Sequence, residues 1–120
     1  MGVRLHDDVW QVVKDHYKFT DDARPFVESK ADIVPFDGGA FIAVGNEFDL
    51  FVVPEKRGRW RIRSEITKYL DDMSKRHDKI IVRVSEHNTK SLRLALHFGF
   101  KEVSRDDGII RLENASWVAH

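Results

Sequence analysis

The residues from Val52 to Ile62, VVPEKRGRWRI, have the outline of a loop that holds a phosphate at the start of a helix. An apolar run ends at Pro54, and Arg57 and Gly58 follow. Unsatisfied amides and the positive end of a helix dipole favour an anion at such a place. Lys56, Arg57, Arg59, Arg61 and Arg63 crowd the first turns of the helix that follows. Cations there oppose the dipole, at a cost of about 0.3–1 kcal/mol each on a surface, so the cluster makes sense if an anion sits among them. A solvated basic face, partly neutralised by Glu55 and Glu65, is the other reading. Trp60 and Ile62 stand where a phosphate loop would carry further glycines. A Cβ bearing an indole obstructs a close approach of backbone to phosphate, and Trp60 reads as a packing residue or an exposed contact.

Other chemistry is narrowed by elimination. The chain has no cysteine, which excludes disulfides, thiolate zinc sites and a cysteine nucleophile. Its six histidines show no HExxH spacing, so no metal site is expected. Asn88 stands just before a helical pattern and is sufficiently explained as its cap. Twenty basic and twenty acidic residues give a formal net charge of zero. A neutral chain with one basic segment counts against a mainly nucleic-acid role. No apolar run approaches membrane length, and MGVRLHDDVW lacks the apolar stretch of a signal peptide. The expectation is a cytoplasmic protein with no membrane partner.

The elements that must position these residues follow from periodicity. At 120 residues one domain over 1–120 is expected. GVRL reads as a short first strand. DDVWQVVKDHYKF reads as a helix with Val9, Val12, Val13 and Tyr17 on one face and Asp7 as its cap. DDARPFVESK reads as a second, short helix with Pro25 near its start. ADIVPF and AFIAVG are strand-like around a DGG turn. EFDLFVVP is a third apolar strand, and its dense Leu50–Val53 run implies burial on both faces. From Gly58 to His77 the period becomes helical, through Ile62, Ile66, Tyr69, Leu70 and Met73. KIIVRVSE is the next strand. A helix from Asn88 to Phe98 turns Leu92, Ala95 and Leu96 inward and ends at Gly99. FKEVS and GIIRLE close the chain as a hairpin around RDDG. The fold class is α/β, a mixed central sheet with helices on both faces, in the order β-α-α-β-β-β-α-β-α-β-β.

That order, with VVPEKRG, NTKSLRLALHFGFKEV and GIIRLE at its joints, resembles the GNAT superfamily of acetyl-CoA-dependent N-acetyltransferases. YLDDM, Asn88-Thr89 and the Arg93 to Gly99 spacing carry a further likeness to small GNAT-like proteins of bacteriophages, some of them internal virion proteins. The resemblance implies an acetyl-CoA site in which a strand pairs with the pantetheine arm and a helix start takes the pyrophosphate. Its residues here would be Val52, Val53, Arg57, Gly58, Arg59, Trp60, Arg61, Ile62 and Asn88. Trp60 and Ile62 depart from the family's small positions. Where many members carry a tyrosine acid seven residues after the Asn, this chain carries Ala95. His97, about 200° around the helix from Asn88's seventh residue, cannot replace it. Glu47 and Asp49, on or beside the strand that lines the site, and His87 are the acid–base candidates. A carboxylate at a strand edge is otherwise simply solvated, and the neighbourhood of His87 in sequence offers it no pairing partner. Two readings follow. One is a diverged GNAT-fold protein with weak or lost catalysis, acting on a macromolecular partner through Lys56–Arg63 in a virion or in host takeover. The other is an active N-acetyltransferase modifying an amine of a small molecule or protein.

Overall fold

The computed structural model describes residues 3–57 and 61–117, and for residue 61 the backbone alone. The strands form a mixed six-stranded sheet in the order β1-β2-β3-β4-β6-β5, with four α-helices, which is the α/β class expected. The chain divides into two compact units, Met1–Gly45 with Asp49–Ile66, and Asn46–Phe48 with Thr67–His120.

The first unit opens with helix α1, Asp7–Tyr17. Val9, Trp10 and Val13 are its buried face, whereas Tyr17 is 38% exposed. The cap position is His6, not Asp7, with no side-chain bond to the helix end. Asp7 instead accepts from Arg24 Nη1 at 2.8 Å. A short 3₁₀ turn, Asp21–Ala23, leads into helix α2, Arg24–Lys30, with Pro25 in its first turn. The expected GVRL strand is not formed over its described residues 3–5. The reason lies in α2: the Leu5 N–H donates to Glu28 Oε2 at 2.7 Å and the Leu5 carbonyl accepts from Arg24 Nη2. With side chains satisfying that backbone, no neighbouring strand is required.

Strands β1, Asp32–Phe36, and β2, Gly39–Val44, pair antiparallel from Asp32↔Ala43 to Phe36↔Gly39. Gly38 in their turn has φ +83°, which suits glycine. Strand β3 spans Glu47–Val52. Phe51 is buried, but Leu50 and Val52 are only half-buried, so the run is not covered on both faces as its apolar content implies. Leu5, Val9, Trp10, Val13, Ile33, Ala40, Ile42, Phe51 and Val53 make one core. After β3 comes a 3₁₀ turn, Pro54–Lys56, and then helix α3, Arg61–Arg76.

The second unit is built on strand β4, Ile80–Ser85, in which only Arg83 is exposed. Among the described residues the parallel β3–β4 ladder holds one register pair, Glu47↔Ile81. It is reinforced by the Ile81 N–H donating to the Asn46 carbonyl and by Asn46 Nδ2 donating to the Lys79 carbonyl, both at 2.9 Å. Tyr69, Leu70 and Met73 of α3 are buried at helical spacing. Helix α4, Thr89–His97, starts at Asn88, whose Oδ1 accepts the Ser91 N–H at 3.2 Å. Leu92 and Ala95 are half-buried, but Leu96 is 51% exposed rather than inward. Gly99, at φ +92°, lets the chain turn and bury Phe98 and Phe100 instead. Strands β5, Lys101–Asp106, and β6, Ile109–Asn114, form the closing hairpin. β6 pairs antiparallel with β4, and β5 is an edge strand exposed along its whole length, with a register shift between Glu102 and Ser104. Asn114 is buried at 3% exposure; its Nδ2 donates to the Phe98 carbonyl at 2.9 Å and its Oδ1 accepts the Ser116 N–H at 3.0 Å. Among the described residues no helix is long and apolar enough to cross a membrane.

Candidate functional site

The expected anion loop is described on both sides of a gap. Gly58, Arg59 and Trp60 lie outside the described residues, as does the side chain of Arg61. Val52 ends β3, and its carbonyl accepts from Arg57 Nε at 2.9 Å. Val53 is buried at 5% exposure and belongs to the core of its unit. Its N–H is taken by the Gly38 carbonyl at 2.8 Å. Lys56 Nζ donates to Asp37 Oδ2 at 3.2 Å. Each of these two cations therefore spends a donor on its own neighbourhood. Ile62 is buried at 9% exposure, so the second position expected to be small carries a packed side chain. Of the sequence candidates in the first unit, Asp49 is half-buried in β3 and accepts a hydrogen bond from the Tyr17 hydroxyl. His16, Tyr17 and Phe51 surround that bond with ring contacts at 4.8–5.7 Å between centroids.

In the second unit, Glu47 begins β3 and forms an ion pair with Arg83, Nε to Oε1 at 3.1 Å. Glu47 keeps 39% of its side chain exposed and Arg83 51%, so solvent screens the pair. His87 is 89% exposed, and Glu86 Oε1 lies 3.8 Å from its Nε2, a partner not anticipated from its neighbours in sequence. Asn88 is the α4 cap, as its position implies. Ala95 is half-buried on α4 and offers no proton. Among the described residues no group of three or more His, Cys, Asp or Glu side chains is placed to hold a metal ion.

Sequence reasoning missed Tyr17, Arg83, Asp37 and Gly38, which hold Asp49, Glu47, Lys56 and Val53. Arg83 had one available signal. It is the charged residue inside an apolar strand, KIIVRVSE, where a charge calls for a partner on the neighbouring strand. Tyr17 and Asp37 pair across 32 and 19 residues of sequence, which no local pattern records.

No protein-family model and no curated protein matches the chain by sequence. Solved structures do match by fold. PH1933 from Pyrococcus horikoshii OT3 superposes with a TM-score of 0.67 at 18% identity, over 98% of this chain and 98% of that one. A Bacillus subtilis acetyltransferase in complex with CoA gives 0.69 at 11% identity, over 96% and 95%. A mutant of the spermidine N-acetyltransferase SpeG from Vibrio cholerae gives 0.56 at 22% identity; the match covers 63% of this chain and 55% of SpeG. On this likeness in architecture, the chain has a GNAT acetyltransferase-like fold.

Proposed function

We propose that this protein keeps the acetyltransferase-like fold with weak or lost catalysis and acts by binding a macromolecular partner through Lys56–Arg63. One observation carries the reading: Ile62 is a core residue at 9% exposure, at a position where close approach of backbone to pyrophosphate requires a small side chain. Ala95 adds to it, because no acid stands there to receive the departing thiolate. The sequence likeness to small bacteriophage proteins makes a virion or an infected cell the proposed setting. Acetyl-CoA is the proposed residual ligand, held by Val52, Val53, Arg57 to Ile62 and Asn88, with Glu47, Asp49 and His87 as proton carriers for any remaining turnover.

Calorimetric titration with acetyl-CoA tests this. The expected Kd is above about 100 μM, equivalent to about −5.5 kcal/mol or weaker. Micromolar affinity, joined to CoA release at about 1 s⁻¹ with an amine, lies in the ordinary enzyme range and overturns the reading. That result would favour the second one, an active N-acetyltransferase on a small-molecule or protein amine. Its support is the CoA-bound fold neighbour and the parallel β3–β4 ladder that holds a single described pair.

A further inference from the structure

Strands β4 and β6 place two arginines side by side on one face of the sheet. Cross-strand partners share a face, and the register pairs Arg83 of β4 with Arg111 of β6. Like charges directly opposite weaken a sheet, so strand pairing does not ask for both. Each is braced by a carboxylate through its Nε. Arg83 Nε donates to Glu47 Oε1 at 3.1 Å, and Arg111 Nε donates to Glu113 Oε2 at 3.0 Å. Lys79 Nζ holds the other oxygen of Glu113 at 3.3 Å. Among the described residues neither guanidinium places an Nη atom on a protein acceptor, so two forks are fixed at the base and open at the tip.

A hydroxyl extends the row. The register shift between Glu102 and Ser104 passes over Val103 and sets Ser104 opposite Arg111. An unbroken ladder would put Val103 there. Bulges recur where a side chain must be re-aimed. Ser104, Arg111 and Arg83 thus line up across three strands, and all three carry donors for one group lying over the sheet. On and beside this face, Lys79, Arg83, Lys101 and Arg111 outnumber Glu47, Glu113 and Asp106.

Guanidinium forks match phosphate oxygens in pairs, and two neighbouring cations suit a dianion better than a carboxylate. A phosphate monoester carries about −1.5 to −2 at pH 7, more than the single charge of a nucleic-acid phosphodiester. The Arg83 side chain is 51% exposed, so the face is too open to enclose a small metabolite, and the phosphate is presented by a larger partner. A formal net charge of zero offers no basic track for a polynucleotide. We propose that Ser104, Arg111 and Arg83 bind the phosphate of a phosphoserine or phosphothreonine side chain on a protein partner. This site is independent of the acetyl-CoA site proposed above and of the Lys56–Arg63 segment.

The experiment is an NMR titration of the full chain that follows the arginine Nε–H signals. The probes are a phosphoserine tripeptide, its glutamate counterpart, a thymidine dinucleotide and inorganic phosphate. The phosphopeptide should shift the Arg83 and Arg111 signals and bind about tenfold more tightly than the glutamate peptide or the dinucleotide. Arg83→Lys and Arg111→Lys keep the charge and lose the fork, and each should weaken the phosphopeptide by about fivefold or more. Ser104→Ala should weaken it by about threefold. Arg83→Lys, at the more exposed position, decides the matter if Arg111→Lys does not fold. Lysine variants with wild-type affinity would overturn the directed site. Unshifted Arg83 and Arg111 signals, or equal binding of the glutamate peptide or the dinucleotide, would overturn the phosphate monoester. Inorganic phosphate binding as tightly as the phosphopeptide would overturn the protein source.

Discussion

Arg83 Nε lies 3.1 Å from Glu47 Oε1, joining side chains of the two strands that run parallel at Glu47 and Ile81. The pair is half in water, so its strength is modest. A double-mutant cycle of Glu47→Gln and Arg83→Met, read by urea denaturation, should give a coupling of about 0.2–1 kcal/mol. A coupling above about 2 kcal/mol would mean the pair is desolvated and structural.

Ile62 should prove to be a stability residue. Ile62→Ala is expected to cost about 2–5 kcal/mol, and Ile62→Gly roughly 1 kcal/mol more because of glycine in a helix. Denaturant midpoints measure both. A loss below about 0.5 kcal/mol would show that the side chain packs against little, and that a small residue there was never excluded by the core.

Restoring the missing chemistry should proceed in a fixed order. Trp60→Gly is expected to tighten acetyl-CoA by about tenfold. Ala95→Tyr alone should leave CoA release near background, because an acid is useful only with the thioester in place. The two together should raise release by about 10²-fold or more. Ala95→Tyr raising the rate by itself would show that the native loop already seats the cofactor.

Most of the architecture was legible from periodicity. Ile66, Leu70 and Met73 announced α3, and the Gly99 turn was marked by its residue type. Failures came where satisfaction is non-local. GVRL has strand-like composition, yet Glu28 and Arg24 of α2 supply the bonds a partner strand would have supplied. Leu96 has the spacing of an inward residue, but α4 is only nine residues long and Phe98 takes the buried position after it. The candidate residues follow from position along the sequence, while the partners that hold them do not. Asp49 was named from its strand; Tyr17, which donates to it, is 32 residues away.

Glu28 gives a pH-dependent prediction. Its side chain is 13% exposed. Burial alone would raise its carboxyl, but the Leu5 N–H and Arg24 outweigh that and hold it below the ordinary 4.5. Arg24 also reaches Asp7 of α1, and Arg4 adds positive charge. A carboxyl whose pKa is lower folded than unfolded stabilises the fold above the unfolded value. That contribution is lost as pH falls through the folded one. Glu28→Gln should therefore cost about 1–3 kcal/mol at pH 7, and the gap to the parent should narrow below about pH 4.5. Thermal melts across that range decide it, and a gap independent of pH would rule out the charge as its source.

The exposed outer strand β5 has a consequence for encounters between copies of the chain. Six residues carry Lys101, Glu102, Arg105 and Asp106, and their ladder slips between Glu102 and Ser104. A flat, apolar rim would recruit the same strand of another molecule and seed polymerisation. This rim is dislocated and studded with both signs of charge, so a second molecule can neither continue the hydrogen-bond rows in register nor bury the side chains it would meet. Growth into filaments through that rim is therefore not expected, even in concentrated solution.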